Sequence, residues 1–412
     1  MPDGLEGGVG AGAGAGAGVR LPKHVHEFGP ARWVRGDSGS APGAHSDGGA
    51  DARGAQSERE ELLRRNERLH DSLNASKNCI TRHARTWDVY KRCTNEYELV
   101  YPGISAHSPI SRSFFKLWEM LHDFGLTREG KMRATFLAEG PGGFMEAFAM
   151  FRAGKSGDEI HGMTLHSRNR GIPGWKVKVP FTLHRGADGT GNLYSAENVD
   201  HLAAAVGPGT CHHVTADGGF DFSTDYNSQE ETSTRLIVAE IYAALRLQAP
   251  GGAFVLKIYD MRSPQTVGAL YLLRTCYAGL RVVKPLTSRP ANSERYVVCT
   301  GFVGPPQGDL VATLRSAVES GNLATLAVPV PVPYLRDVVA FNARYVAHQV
   351  AVISDTIAVI KGACSGAKGC CETKEERARR VRRQLAAAAR WCHEYSLRIS
   401  VPAMRTCLAR TQ

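Results

Sequence analysis

The chain has 412 residues, 43% of them hydrophobic, which is enough for one large domain with extensions or for two domains. Its formal net charge of +10 favours an anionic partner, but this charge alone does not separate nucleic acids from membrane surfaces. No apolar run reaches the roughly 18 residues of a transmembrane helix, and the N-terminus lacks the apolar core of a signal peptide. We therefore expect a protein that is neither membrane-spanning nor secreted.

Ten cysteines are scattered along the chain. A chain of this length needs no disulfides to hold its core, so we expect free thiols in a reducing compartment, the nucleus or the cytoplasm. One group near the C-terminus has metal-binding residue types but fits no standard zinc spacing: Cys364, Cys370, Cys371, Cys392 and His393. We expect no metal site.

The N-terminal part of the chain changes character twice. Residues 1–55 are rich in Gly, Ala and Ser and are predicted to be disordered, because they cannot bury enough apolar surface to offset their ordering entropy. Residues 56–101 are predicted to form a helical extension, with Ser57 as its N-cap and Glu60 three residues later. Basic and aromatic side chains alternate over 77–100, which fits either a helical collar packed on the core or an extension that contacts substrate.

Residues 102–304 alternate short apolar strands with helical stretches, a pattern typical of an α/β fold. The predicted strands are Thr135–Ala138, Ile160–Leu165, Phe181–Arg185, His213–Ala216, Ala253–Lys257, Leu280–Lys284 and Tyr296–Thr300. The predicted helices span 112–122, 144–152, 196–205, 228–248 and 264–276. This alternation predicts a mostly parallel sheet covered on both faces, with ligands beyond the carboxyl ends of its strands.

Residues 305–412 are predicted to be a helical, basic C-terminal extension. Asp337–Ile360 is a long stretch with helical apolar periodicity. Residues 374–390 carry seven basic side chains: Lys374, Arg377, Arg379, Arg380, Arg382, Arg383 and Arg390. Such a run is either a solvated face or a surface for phosphates, with Arg377, Arg380 and Arg383 close to one face of the helix.

A glycine-rich turn follows the first predicted strand of the α/β region. Its residues are Glu139, Gly140, Pro141, Gly142, Gly143 and Phe144. Backbone without Cβ atoms allows a ligand to approach closely, so the turn is a candidate ligand loop, although a plain tight connection would look similar. A second segment, 188–193, follows the third strand, where Asp188 or Asn192 could bond the edge of a base unless the segment is an ordinary surface turn.

Five segments of the chain together resemble the FtsJ-type 2′-O-ribose methyltransferases, most closely the branch of the cap-specific mRNA (nucleoside-2′-O-)-methyltransferases 1. They are Ser111-Arg-Ser-Phe-Phe-Lys116-Leu, Glu139-Gly-Pro-Gly-Gly-Phe144, Asp217-Gly-Gly-Phe220, Gly251-Gly-Ala-Phe-Val-Leu-Lys257 and Ser288-Arg-Pro-Ala-Asn-Ser-Glu294-Arg-Tyr. The compact chain with unusual flanks also resembles the stand-alone enzymes of large DNA viruses. The resemblance covers roughly 102–304 and implies a Rossmann-like sheet and S-adenosyl-L-methionine as cofactor.

The resemblance also implies the residues of the site. Lys116, Asp217, Lys257 and Glu294 would form a catalytic tetrad. The glycine turn with Asp188, Asn192 and Asp217 would bind the methyl donor. RNA would be contacted by Arg112, Ser288, Arg289, Asn292 and Ser293.

The chemistry of the four ionisable residues fits this interpretation. A ribose hydroxyl is a poor nucleophile near neutral pH and needs a base or a strong orienting group. A lysine can serve as that base if its pKa is lowered, which a second lysine would favour and carboxylates would oppose.

The expected function is 2′-O-methylation of RNA, at the first nucleotides of capped mRNA. The alternatives are the same reaction on rRNA or tRNA, and an RNA-binding subunit without catalysis. The partner is RNA in each case.

Overall fold

The computed structural model describes residues 25–28, 48–101, 103–153, 157–167, 172–220, 222, 225–305, 309–326, 328–364 and 372–409. Within these residues, eight strands form one sheet. The strands are β1 (Val25–Glu27), β2 (Arg133–Leu137), β3 (Glu159–Met163), β4 (Thr182–His184), β5 (Cys211–Ala216), β6 (Gln248–Ile258), β7 (Tyr277–Val283) and β8 (Arg295–Phe302). The seven strands that the sequence predicted are all present.

The order of strands across the sheet is β1-β7-β8-β6-β5-β2-β3-β4. Strands β2 to β6 run parallel to one another, β8 is antiparallel to both its neighbours, and β1 is antiparallel to β7. Strands β3 and β4 lie on one side of β2, in that order toward the edge of the sheet. The next strand in the chain, β5, lies on the other side of β2. The sheet is therefore Rossmann-like, as predicted, with its topological switch point between β2 and β5, where ligands bind in such folds.

Helices cover both faces of this sheet. They are α1 (Gly48–Arg82), α2 (Ala84–Tyr90), α3 (Ser113–Phe124), α4 (Gly143–Phe151), α5 (Ala196–Val206), α6 (Gln229–Leu247), α7 (Pro264–Cys276), α8 (Leu310–Ser320), α9 (Val332–Cys364), α10 (Lys374–Glu394) and α11 (Val401–Ala409). Two short 3₁₀ helices lie at Glu98–Val100 and Leu323–Thr325. One face carries α5, α6, α7 and α8, and the other carries α3, α4 and α10.

The central strands are buried on both sides, which explains their continuous apolar sequence. In β6, Phe254 and Leu256 belong to the core on the α6 face, while Ala253 and Val255 belong to the core on the α3 face. The same alternation recurs in β8, whose Tyr296 faces the α3 side. The sheet is thus a rigid base for residues at the strand ends.

The prediction of disorder for residues 1–55 is wrong for the two parts that the structure describes. Val25–Glu27 pairs with Arg281–Val283 as an edge strand, and Phe28 is 1% exposed, packed against Tyr334 and Phe341. Helix α1 begins at Gly48, before the predicted start of the helical extension. The strand is held by pairing with β7 and by the packing of Phe28, which composition does not reveal. The rest of 1–55 lies outside the described residues.

The flanking helices pack against the α/β core and each other. Helices α1, α2 and α9 share an apolar cluster that includes Leu73, Trp87 and Ile353. At the other end, α10 lies on α3, where Trp391 Nε1 donates to Glu119 at 3.1 Å and Trp118 Nε1 donates to the Tyr395 carbonyl at 2.9 Å. No helix among the described residues is long and apolar enough to cross a bilayer.

Candidate active site

Two predicted catalytic residues and one predicted donor-binding residue stand at the carboxyl ends of neighbouring strands. Asp217 directly follows β5, Lys257 is the penultimate residue of β6, and Glu139 comes two residues after β2. Because β2, β5 and β6 are parallel neighbours, these side chains meet at one edge of the sheet, next to the switch point.

The structure brings all four members of the predicted tetrad together. Lys116 Nζ lies 2.6 Å from Glu294 Oε1, and Lys257 Nζ lies 3.2 Å from Asp217 Oδ1. Lys257 Nζ also donates to the Asp217 carbonyl at 2.7 Å. The two ion pairs are joined by Tyr296, whose hydroxyl donates to Asp217 Oδ1 at 2.8 Å and accepts from Lys116 Nζ at 3.4 Å.

The electrostatics of this cluster favour charged side chains. Burial alone would raise the pKa of Glu294, but the charges of Lys116, Lys257 and Lys284 outweigh it and hold that pKa below its usual range. Burial alone would lower the pKa of Lys257, but the negative charge of Asp217, with Tyr259 and Glu294, raises it above its usual value. The expected lowering of a lysine pKa is therefore absent at Lys257, because the carboxylates dominate.

Lys284, the last residue of the predicted strand Leu280–Lys284, is a buried lysine to which the sequence gave no role. Its Nζ donates to the carbonyl oxygens of Asn292 at 2.8 Å and Glu294 at 2.6 Å, and to Asn292 Oδ1. Burial, together with the neighbouring charges of Arg295 and Lys116, lowers its pKa well below the usual value, while Glu294 opposes that shift. Lys284 thus fixes the loop that carries Glu294, and Ser288 Oγ donates to Glu294 Oε1 at 2.9 Å from the same loop.

The glycine turn lies at the switch point and leads directly into α4. Gly142 has φ +112°, a backbone conformation that residues with a Cβ rarely adopt. A Cβ at Gly142 would lie 2.8 Å from Val177 Cβ, and a Cβ at Gly140 would collide with the Pro173 carbonyl. Lys176 N also donates to the Pro141 carbonyl at 3.0 Å. Glycine is required at these two positions because the segment 173–177 packs over the turn and leaves no room for a Cβ atom.

Glu139 has a buried carboxylate oxygen with no partner. Its side chain is 4% exposed, Oε1 accepts from the Thr215 hydroxyl, and Oε2 has no hydrogen-bond partner among the described residues. Burial raises the pKa of Glu139 well above its usual value, and the negative charges of Asp217 and Glu240 add to this. A carboxyl in this setting, beside the glycine turn, fits a ligand with a cationic group.

Asp188 and Asn192, which the sequence predicted to bond the edge of a base, accept hydrogen bonds within their own turn. Asp188 Oδ1 accepts from Thr190 N at 2.8 Å and from its hydroxyl at 2.7 Å. Asn192 Oδ1 accepts from Tyr194 N at 3.0 Å. The segment between β4 and α5 is therefore a turn stabilised by local side-chain contacts.

The predicted RNA-contacting residues mostly anchor the loop before β8. Arg112 and Arg289 both contact the buried Glu98, at 3.4 and 3.1 Å. Arg112 also donates to the carbonyl oxygens of Tyr101 and Thr287, each at 3.0 Å. Ser293 Oγ accepts from Gln349 Nε2 at 3.1 Å.

A cavity of about 400 Å³ opens beside Glu294, between the core and the N-terminal helices. We call it the aromatic cavity, because four of its lining residues are Trp87, Phe222, Tyr226 and Tyr259. The rings of Phe222 and Tyr259 lie 5.1 Å apart in an edge-to-face arrangement. Its polar lining residues are Lys77, Asp88, Lys91, Gln229, Arg289, Asn292, Glu294 and Gln349. Trp87 belongs to the basic and aromatic segment 77–100, whereas the other three lie in separate segments that no sequence pattern marked.

The sequence singled out two other groups of residues, the Cys and His residues near the C-terminus and the basic trio of α10. Among the described residues, no group of three or more His, Cys, Asp and Glu side chains is arranged to hold a metal ion, and Cys370 and Cys371 lie outside those residues. In the predicted basic trio of α10, Arg380 is held by Glu372 at 2.7 and 2.8 Å, whereas Arg377 and Arg383 are exposed.

The central part of the chain is similar to known proteins. Residues 109–302 match the family described as FtsJ-like methyltransferase. A cap-specific mRNA (nucleoside-2′-O-)-methyltransferase 1 from Trypanosoma brucei brucei is 38% identical over 196 residues, covering 46% of this chain and 52% of the relative. The mouse (Mus musculus) protein of the same name is 36% identical over 194 residues, covering 43% of this chain and 22% of the relative.

A solved structure of human methyltransferase-like protein 13 in complex with SAH aligns with 53% of this chain and 92% of its own, at 12% identity and a TM-score of 0.30. The chain spans about half the length of the trypanosome relative.

Proposed function

Because residues 109–302 match the FtsJ-like methyltransferase family, we propose that this chain transfers a methyl group from S-adenosyl-L-methionine to a ribose 2′-hydroxyl of RNA. The observation that carries the proposal is the arrangement at the strand ends. Two lysine–carboxylate pairs, Lys116–Glu294 and Lys257–Asp217, meet through Tyr296 at the edge where the glycine turn begins. A base, a second cation and two orienting carboxylates therefore surround one point.

The donor supplies a methyl group on a positively charged sulfonium, together with an ammonium group. The unpaired Glu139 Oε2 is suited to the positive charge of such a ligand, and the glycine turn leaves backbone N–H groups at the start of α4. In the proposed site, Asp188 and Asn192 shape the neighbouring wall through their turn. Each of these contributions comes from a residue that is already fixed by the fold.

In the proposed reaction, the 2′-oxygen attacks the methyl carbon, the carbon–sulfur bond breaks, and the hydroxyl proton passes to Lys257 Nζ. This transfer requires Lys257 to be neutral, so its own proton must leave first, because Asp217 favours the charged form. Lys116, paired with Glu294, lies on the other side of Tyr296 and supplies positive charge for the developing alkoxide. The two carboxylates hold both ammonium groups in place.

We place the reaction on capped RNA for two reasons. The relatives at 36–38% identity are named cap-specific mRNA methyltransferases. The aromatic cavity beside Glu294 offers flat rings on which a purine can stack, and a guanine methylated at N7 is positively charged, which strengthens its attraction to aromatic faces. The cavity would hold the cap while the first nucleotides reach Lys257.

The test is methyl transfer to three RNAs of equal length: one capped, one uncapped and one corresponding to a ribosomal or transfer RNA fragment. The proposal predicts 2′-O-methylation of the capped RNA, with removal of activity by Lys257→Met and Glu294→Gln. Methylation of the ribosomal or transfer RNA alone would support the proposed reaction but would contradict capped RNA as its substrate. RNA binding without methyl transfer to any of them would contradict the proposed enzyme.

A further inference from the structure

Helix α10, outside the FtsJ-like segment, presents a row of exposed arginines without acidic partners. Arg379 and Arg383 are one turn apart, Arg382 lies next to them, and all three are exposed. Among the described residues, none of the three forms an ion pair. We call these three residues the basic face. Its position differs from the predicted trio, because Arg380 is neutralised by Glu372 and is partly buried.

Helix α10 packs against residues 92–95, close to Glu98, which contacts the loop between β7 and β8; we call this loop, which carries Glu294, the catalytic loop. The opposite side of α10 is buried, and Gln384 Nε2 donates to the carbonyl oxygens of Arg92 at 2.9 Å and Asn95 at 2.7 Å. The nearby Glu98 is the residue that binds Arg289 of the catalytic loop. Because the helix itself is anchored in this way, only the arginine side chains, and not the backbone, lose conformational entropy when they contact a ligand.

Two neighbouring cavities lie between the basic face and the loop before β8. A cavity of about 770 Å³ is lined by Arg379 and Arg383 and by Thr94 and Glu96. The same Thr94 and Glu96 line a smaller cavity of about 170 Å³, which reaches Ser288 and the rest of the loop before β8. On the other side of this loop lies the aromatic cavity with Glu294. The larger cavity also contains four carboxylates, Glu96, Asp355, Glu372 and Glu376, so a polyanion would follow its arginine rim.

We propose that the basic face of α10 binds the phosphate backbone of the RNA chain that continues beyond the methylated nucleotide. This inference rests on the proposed function, since it concerns the RNA whose cap would occupy the aromatic cavity and whose ribose would lie at Lys257. Contacts between arginine and phosphate add affinity for RNA of any sequence. The basic face should therefore make RNA affinity depend on the length of the RNA and not on its bases. The chain would then bind RNA partly through a helix that lies outside residues 109–302, the segment that matches the family.

The experiment compares the wild type with a variant that carries Arg379→Gln, Arg382→Gln and Arg383→Gln. Affinities are measured at several salt concentrations for a capped dinucleotide and for a capped single strand of about 16 nucleotides, an ordinary upper site size. Three lost phosphate contacts should flatten the salt slope for the long RNA by about two units and weaken its binding about tenfold or more at low salt. Binding of the capped dinucleotide should stay as in the wild type.

Two controls isolate the effect. Arg380→Gln changes an arginine of the same helix that is already paired, and it should leave RNA affinity unaltered. Arg64→Gln, Arg65→Gln and Arg68→Gln remove the same charge from exposed positions of α1, and S-adenosylhomocysteine affinity reports folding in every variant.

An unchanged slope, an equal loss for the dinucleotide, or the same loss in the α1 variant would overturn the inference. If the wild type methylates no RNA, the proposed function itself fails, which separates the two results.

Discussion

Lys257 Nζ contacts Asp217 twice, at Oδ1 and at the backbone carbonyl, and this pair holds the proposed base in its protonated form. Because the pKa of Lys257 is raised, its neutral fraction is small at neutral pH and grows about tenfold for each pH unit. We predict that single-turnover methyl transfer rises with a slope of about one in log rate between about pH 7 and 9. A level profile over this range would mean that Lys257 acts as a fixed cation and not as the base.

Lys257→Ala should lower the rate of methyl transfer by about 10²–10⁴-fold, the usual loss for a general base. S-adenosylhomocysteine should still bind, because the predicted role of this side chain is toward the acceptor hydroxyl. Calorimetry with S-adenosylhomocysteine and a rate measurement on capped RNA check the two parts. A variant that keeps more than about a tenth of the wild-type rate contradicts the assignment.

Tyr296→Phe tests the bridge between the two ion pairs. The variant keeps the buried ring but loses the hydroxyl that donates to Asp217 and accepts from Lys116. A hydrogen bond to a charged group contributes about 1.5–3 kcal/mol, so we expect a loss of roughly 10–100-fold in kcat. The variant should still fold, since the ring still packs against Phe144, but its free energy of unfolding should fall by a similar amount. An unaltered kcat would assign Tyr296 to the core alone.

The location of Asp217, Lys257 and Glu139 at one edge of the sheet could be predicted from sequence, because each residue lies at the end of a recognisable strand of a parallel sheet. Each comes at the end of an apolar strand, and parallel neighbours bring such ends together. The strands themselves were recognisable because both their faces are buried, which leaves near-continuous apolar runs.

Other parts depend on contacts between distant segments. Tyr296 is one of many aromatic residues in apolar strands, and only the packing of β8 beside β6 brings its hydroxyl to Asp217. Arg112 and Arg289 lie in motifs that suggested RNA contact, yet Glu98, a residue with no sequence signal, binds both. The strand at Val25 was hidden by the Gly- and Ala-rich composition around it.

Lys77→Met should destabilise the protein, because it breaks a buried ion pair between α1 and the segment after β6. Lys77 Nζ lies 2.8 Å from Asp260 Oδ2, and both side chains are less than a tenth exposed. Leaving Asp260 without this partner should cost about 3–5 kcal/mol, measured by chemical denaturation at neutral pH. The exposed pair Arg68–Glu61 is the control, and Arg68→Met should cost no more than about 1 kcal/mol.

The pH dependence of that stability follows from Asp260. Burial opposes its charge, but Lys77, Arg295 and His70 lower the pKa of Asp260 below that of the unfolded chain. Its contribution is therefore present above the unfolded pKa, near 3.9, and is lost as the pH falls through the folded value. Lys77→Met should flatten the acid side of the stability profile, and an identical acid profile in both proteins would contradict this origin.

Gly142→Val should prevent donor binding while the fold persists. The positive φ disfavours a β-branched residue, and its Cβ would press on Val177, so the segment over the glycine turn must move. Calorimetry with S-adenosylhomocysteine checks this, with circular dichroism for folding. Gly130→Val is a matched control, because Gly130, in the loop between α3 and β2, also has positive φ but a Cβ added there would meet no atom within 4 Å. Unchanged affinity in a folded Gly142→Val variant would make the turn purely structural.

Glu139 should couple donor binding to release of a proton. Its pKa is raised well above the usual value by burial and by Asp217, so in the free protein this carboxyl stays protonated to a higher pH than an exposed glutamate does. A cationic donor favours the carboxylate, so donor affinity should rise with pH until Glu139 is ionised in the free protein. Calorimetry in buffers of different ionisation enthalpy measures the released proton directly. Glu139→Gln should weaken donor binding and abolish that release, whereas a release that persists in the variant would assign the proton to another group.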